Sequence, residues 1–134
     1  MDVVLKTNDP ERYLALMQIA RFADNSGFCC ELVVRSHGFG GSMQFCFEPA
    51  ALVAFHGALQ RMDRSLIGSA MLKPMHEDPY IRMELLHTGA VTVSGELSVS
   101  DEATHRLIFG FRTDQTCLGP FVRELGACFQ LAAV

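Results

Sequence analysis

The sequence predicts an α+β fold: an antiparallel six- or seven-stranded sheet with two amphipathic helices on one face, in βββα-βββα order, as a single domain over residues 1–134. Three observations carry that reading. An F-x-F strand feeding a helical stripe occurs twice: Phe45-Cys-Phe47 precedes Leu52, Phe55 and Leu59, and Phe109-Gly-Phe111 precedes Leu118, Phe121 and Leu125. Period-two alternation recurs upstream of both copies. The composition, 49% apolar and 19% charged over 134 residues, can fill one core without metal or disulfide staples.

Residues 13–23 read as a strand of weak alternation, closed by the turn cluster Asp24, Asn25, Ser26 and Gly27. Residues 28–36 alternate cleanly, with Phe28, Cys30, Leu32 and Val34 on one face and Glu31 and Arg35 on the other. His37 to Ser42 reads as a glycine-rich loop, after which Met43, Phe45 and Phe47 share a face. Glu48-Pro49 starts the first helix, because proline's missing N–H has no intrahelical partner at that position. Leu52, Phe55, Leu59 and Met62 mark its buried stripe, and Gly68 is its expected stop. Residues 66–79 connect the halves and are expected to include an edge strand near Ser69 to Lys73.

The second half repeats the order. Ile81, Met83 and Leu85 alternate with Arg82 and Glu84. Val91, Val93, Leu97 and Val99 alternate with Thr92, Ser94, Glu96 and Ser98. Leu107, Phe109 and Phe111 form the next inward row. Asp114 or Thr113 can cap the last helix by accepting backbone N–H bonds. Helices of this length need tertiary packing to be stable, so both are expected to cover one sheet face and leave the other wet.

Charge and chemistry exclude more than they assign. Net charge is −4; residues 1–67 hold 6 basic and 7 acidic residues, residues 68–134 hold 5 and 8. Neither half can track a phosphate backbone, so no nucleic-acid partner is expected. No apolar run approaches the roughly 18 residues of a membrane span, and the N-terminus lacks a secretory pattern, so a cytoplasmic protein is expected. The five cysteines, Cys29, Cys30, Cys46, Cys117 and Cys128, are odd in number and form no C-x-x-C. Free, mostly buried thiols are the expected state.

Gly38-Phe-Gly-Gly41 lacks the lysine and the following helix of a phosphate cradle, and reads as a strand connection. No histidine pair has the i, i+4 spacing of a helical zinc site. The 76–78 loop (His76, Glu77, Asp78) holds three adjacent groups that rarely converge without other ligands, so no metal is expected. Cys117 sits where a helix dipole favours thiolate, yet has no basic neighbour in sequence and reads as a small packing residue. No nucleophile-elbow, metalloprotease, Walker or dinucleotide pattern occurs; no enzyme activity and no cofactor are expected. The wet face would carry Glu31, Arg35, Arg82, Glu84, Glu96, Arg106 and Arg112. Cross-strand ion pairing explains these residues as well as a docking surface for another protein does.

Three stretches also carry a family resemblance: Gly38-Phe39 through Leu59, Gly89-Ala-Val91-Thr-Val93, and Phe109-Gly-Phe-Arg-Thr-Asp-Gln-Thr116. Together they resemble the small bacterial immunity proteins of the WapI type and related bacterial domains. The resemblance implies a non-enzymatic cytoplasmic protein that neutralises a toxin domain; it transfers no site residues. The alternatives are a small-molecule binder or small enzyme with a pocket between helices and sheet, for which His56 and Gln60 are the inward polar candidates, and a module that self-associates through an exposed edge strand.

Overall fold

The computed structural model describes residues 1–75 and 80–130, so the 76–78 loop lies outside the described residues. The chain runs β1 (Val3–Lys6), β2 (Tyr13–Arg21), β3 (Phe28–Ser36), β4 (Phe39–Phe47), α1 (Pro49–Ser65), β5 (Gly68–Leu72), β6 (Ile81–Leu85), β7 (Ala90–Ser100), β8 (Thr104–Asp114) and α2 (Gln115–Phe129). The strands form two sheets, each a four-stranded antiparallel meander, ordered β1-β2-β3-β4 and β5-β6-β7-β8. The α+β class and the antiparallel pairing stand. The single six- or seven-stranded sheet does not, and each half is ββββα rather than βββα.

Two local causes explain the difference. The first strand, β1, is Val-Val-Leu-Lys, too short to show a period, yet it pairs with β2 from Val3 opposite Leu16 to Lys6 opposite Tyr13. The chain leaving α1 then opens a new sheet. Leu66 adopts a left-handed conformation (φ 64°) and donates its N–H to the Met62 carbonyl, and Gly68 follows at φ 118°. This reversal sets β5 against α1.

The helices therefore do not share one sheet face. Each reaches across: α1 follows the first sheet and packs on β5 of the second, while α2 follows the second sheet and packs on β1 of the first. The helices touch where Gly126 of α2 meets the His56 ring of α1. Elsewhere the sheets approach directly, β4 to β7 and β3 to β8. Gly41 permits this, since a Cβ there would sit 3.1 Å from Leu107 Cδ2 and 3.5 Å from Leu97 Cδ1. The expected stripes Leu52, Phe55, Leu59, Met62 and Leu118, Phe121, Leu125 are all buried in one continuous core. Each such side chain contributes roughly 1.5–3 kcal/mol on burial.

The helix starts are as expected. Glu48 precedes Pro49 in extended conformation, and the Asp114 carboxylate accepts the Thr116 N–H. Hydrogen bonds from Thr116 and Asn8 hold the Asp114 carboxyl below its ordinary value, against a smaller opposing effect of burial. The weak alternation of β2 also has a cause. Its register shifts between Met17 and Ala20, with Gln18 at φ 54°.

The β3–β4 connection is tighter than the expected His37 to Ser42 loop. It is a two-residue turn, His37 (φ 55°) and Gly38 (φ 82°), the paired positive φ values that suit a hairpin. Gly40 and Gly41 are strand residues. The tighter turn shifts the register and brings Cys29 directly opposite Cys46, Cα atoms 4.1 Å apart, joined as a disulfide. The expectation of free thiols is thus corrected at this pair. A six-residue loop would have paired Ser36 with Met43 and set Cys29 opposite Ala50, which hides the match.

Cys30, Cys117 and Cys128 remain free. Burial pushes the Cys30 thiol up to about 12, so it is inert as a nucleophile at neutral pH. Native-state alkylation followed by peptide mass mapping should modify Cys117 and Cys128 first, Cys30 last, and Cys29 and Cys46 only after reduction. Labelling of Cys30 as fast as Cys117 would contradict its buried placement.

Candidate functional site

The residues expected on one wet face are divided between two sheets. Glu31 and Arg35 lie on the outer face of the first sheet; Arg82, Glu84, Glu96, Arg106 and Arg112 lie on the outer face of the second. Within the second sheet, Arg82 Nη2 meets Glu84 Oε2 at 3.1 Å and Arg106 Nη2 meets Glu96 Oε1 at 2.6 Å. In the first sheet, Arg35 reaches Glu11 at 3.8 Å. Exposed pairs of this kind contribute about 0–1 kcal/mol each and explain most of these charges as ordinary surface. Arg112 has no ion pair among the described residues.

His56 and Gln60 do not face a pocket between helices and sheet but a groove at the surface. Both border a shallow surface groove between α1 and α2, with Val122, Arg123 and Gly126. Burial draws the His56 imidazole below its ordinary value, partly offset by a hydrogen bond to the Val122 backbone. Among the described residues no group of three His, Cys, Asp or Glu side chains converges as a metal site. No described helix is long and apolar enough to cross a membrane.

A different place brings unusual features together: the seam where the β3–β4 hairpin tip faces β8. A cleft of about 460 Å3 runs there, lined by Ser36, His37 and Phe39 on one wall and by residues 106–110 of β8 on the other. Phe39 is 70% exposed and Ile108 is 73% exposed, although both are large apolar residues. Ser36 is only 8% exposed, yet its Oγ has no hydrogen-bond partner among the described residues. A buried hydroxyl without a partner costs free energy unless something outside the chain satisfies it.

The cleft runs along an open sheet edge. Among the described residues, strand β8 pairs only with β7. Two bonds fix which backbone groups face inward: Gln115 N–H to Gly89 O, and Asp101 N–H to Ala103 O, both in the β7–β8 register. Antiparallel pairing alternates, so the odd-numbered residues of β8 bond to β7. The N–H and C=O groups of Arg106, Ile108 and Gly110 therefore point off the edge. Arg12 confirms the parity from outside, its Nη1 donating to the Arg112 carbonyl at 3.4 Å while Nη2 lies 3.2 Å from His37 Nε2.

Of the seven residues, then, only Arg106 and Arg112 stand at the seam. Sequence reasoning misses Phe39, Ile108, Ser36 and Arg12. For Ile108 the signal is present, because the inward row Leu107, Phe109, Phe111 forces it outward. No protein-family model, curated protein or solved structure matches this chain.

Proposed function

We propose that this protein is a non-enzymatic binding domain that holds another protein at the seam between its two sheets. The observation that carries the reading is the pairing of Phe39 and Ile108, two strongly exposed apolar side chains from different sheets, on one cleft. Lone exposed apolar residues are ordinary; two that border one unpaired strand edge, Phe39 on its inner side and Ile108 on its outer side, mark an interaction surface. The resemblance to WapI-type immunity proteins is in keeping with this role and makes a toxin domain the first partner to try, in a cytoplasmic setting.

Quantitative affinity capture from the source organism, with the unmodified protein and with Ile108→Glu, tests the reading. Both variants should give the same circular dichroism, since Ile108 lies outside the core. A partner held by the first and lost by the second should then bind the purified protein in a titration, weakened about 10- to 100-fold by Ile108→Glu, as removal of a central anchor does. If every captured protein is held equally by both variants, the seam is not the binding surface.

A further inference from the structure

We infer that the partner binds as an added β-strand along β8, antiparallel to it, with an acidic residue opposite Arg112, a bulky side chain over Gly110 and an aliphatic one opposite Ile108. This rests on the binding role proposed above and specifies its chemistry. Three observations lead to it.

The first is the open ladder. The N–H and C=O groups of Arg106, Ile108 and Gly110 have no partner among the described residues, and β8 contains no proline, lysine or bulge that would repel another strand. The other edge of the same sheet, β5, lies against α1. Main-chain bonds along such an edge supply affinity, while alternate side chains supply selectivity.

The second is the row of outward side chains on β8: Arg106, Ile108, Gly110 and Arg112. Arg106 is already neutralised by Glu96, so the charge that asks for a counterion is Arg112. Arg12 stands beside it. An acidic residue in the added strand meets Arg112 and sets the strand's direction. Gly110 leaves a gap in the row, since a Cβ there would meet nothing closer than the Val93 carbonyl oxygen at 4.0 Å. An aromatic side chain from a neighbouring strand fills such a gap over an edge glycine. Ile108 asks for an aliphatic partner across the pair.

The third is Ser36. The intervening side chains of the added strand face the Ser36 and Phe39 wall, where a threonine can offer its hydroxyl to the unpartnered Ser36 Oγ and its methyl to Phe39. A second copy of this chain suits the edge less well. The only acid it presents on the matching row is Asp114, which is held by Thr116 and Asn8.

The probe is a capped synthetic peptide, Glu-Thr-Phe-Thr-Val-Thr-Ser, titrated against the full chain by fluorescence polarisation. Binding is expected at roughly 10–100 µM, as for a short strand that must be ordered on binding. In antiparallel pairing the peptide residues opposite Ile108 and Gly110 aim their N–H groups at β8. N-methylation of the Phe or Val residue should therefore weaken binding about tenfold or more, and N-methylation of the threonines much less. Replacing Glu by Lys should weaken it by a similar factor. Gly110→Val, whose Cβ would meet nothing closer than 4.0 Å, should do the same by filling the gap.

Equal effects of N-methylation at all positions would overturn strand addition, as would the absence of binding at millimolar peptide. If a captured partner is nevertheless lost on Ile108→Glu, the seam remains a binding site and only the added strand is discarded. Sedimentation of the unliganded protein as a dimer that Ile108→Glu dissolves would overturn the inference in favour of a second copy on this edge.

Discussion

Gly95→Ala is expected to unfold the second sheet or come close to it. Gly95 sits in the middle of β7, opposite Phe109 on one side and Ile81 on the other. A methyl group there would overlap the Tyr80 carbonyl oxygen and sit 2.8 Å from Phe109 Cζ and 3.0 Å from Cε1. The Tyr80 backbone oxygen cannot step aside cheaply, and the Phe109 ring must shift. The Tyr80 carbonyl accepts the Glu96 N–H at 3.2 Å and so ties the chain entering β6 to β7. Phe109 is packed against Phe111, ring centroids 6.5 Å apart. Overpacking in a core costs about 1–3 kcal/mol, and displacing the Tyr80 bond adds to it. A total above about 3 kcal/mol is a large share of the 5–15 kcal/mol that holds a typical domain. Urea denaturation should show the midpoint falling by about 1 M or more, given the slope usual for small domains. Gly110→Ala on the neighbouring strand is the control: its Cβ enters open space, and its effect should stay within about 0.5 kcal/mol. Equal midpoints for the two variants would mean that Tyr80 does not lie over β7.

The contrast between these glycines shows what a linear reading can and cannot see. Alternation assigns faces well. It places Cys30, Leu32 and Val34 inward, and it implies an outward Ile108, because side-chain direction is a local property of a strand. It does not say which strands pair or which sheet a strand joins. Alternation puts Gly95 on an inward row and Gly110 on an outward one, but the close approach of the Tyr80 carbonyl to Gly95 is non-local and has no sequence signal. The helices were legible for a similar reason. Glu48-Pro49, the Asp114 cap and the apolar stripes are all local signals. The disulfide was hidden by one turn, because shifting the β3–β4 reversal re-pairs every residue along both strands. The seam was hidden by distance. Phe39 and Ile108 belong to different sheets, and nothing near either one announces the other. The row of charges was visible, but charge on a strand's outer face is mostly solvation. What separates Arg112 from Arg82 is that Glu84 stands beside the latter.

Phe47→Ala is expected to cost about 3–5 kcal/mol, the range for emptying a fully buried aromatic site. Phe47 is 0% exposed, and its ring lies 5.7 Å from Phe28, 6.0 Å from Phe45 and 6.0 Å from Phe129. Phe129 in turn meets Phe28 edge-on at 4.8 Å. The cluster thus pins the end of α2 to the first sheet, and its loss should speed amide hydrogen exchange in the last turn of α2 before it touches β6 or β7. Phe109→Ala, at the matching place in the second F-x-F, should cost less by about 1 kcal/mol or more, because a site that can relax leaves a smaller cavity. Phe109 is 8% exposed, stacks on Phe111, and lines the cleft from the inward row of β8. The doubled motif therefore sits in unequal places: the first copy anchors a helix at the centre of the core, and the second underlies the edge where a partner strand is proposed to lie. Equal destabilisation by the two substitutions, with exchange in α2 unchanged, would remove that distinction. A Phe109→Ala that spares stability but lowers affinity for the added strand would tie the second copy to binding.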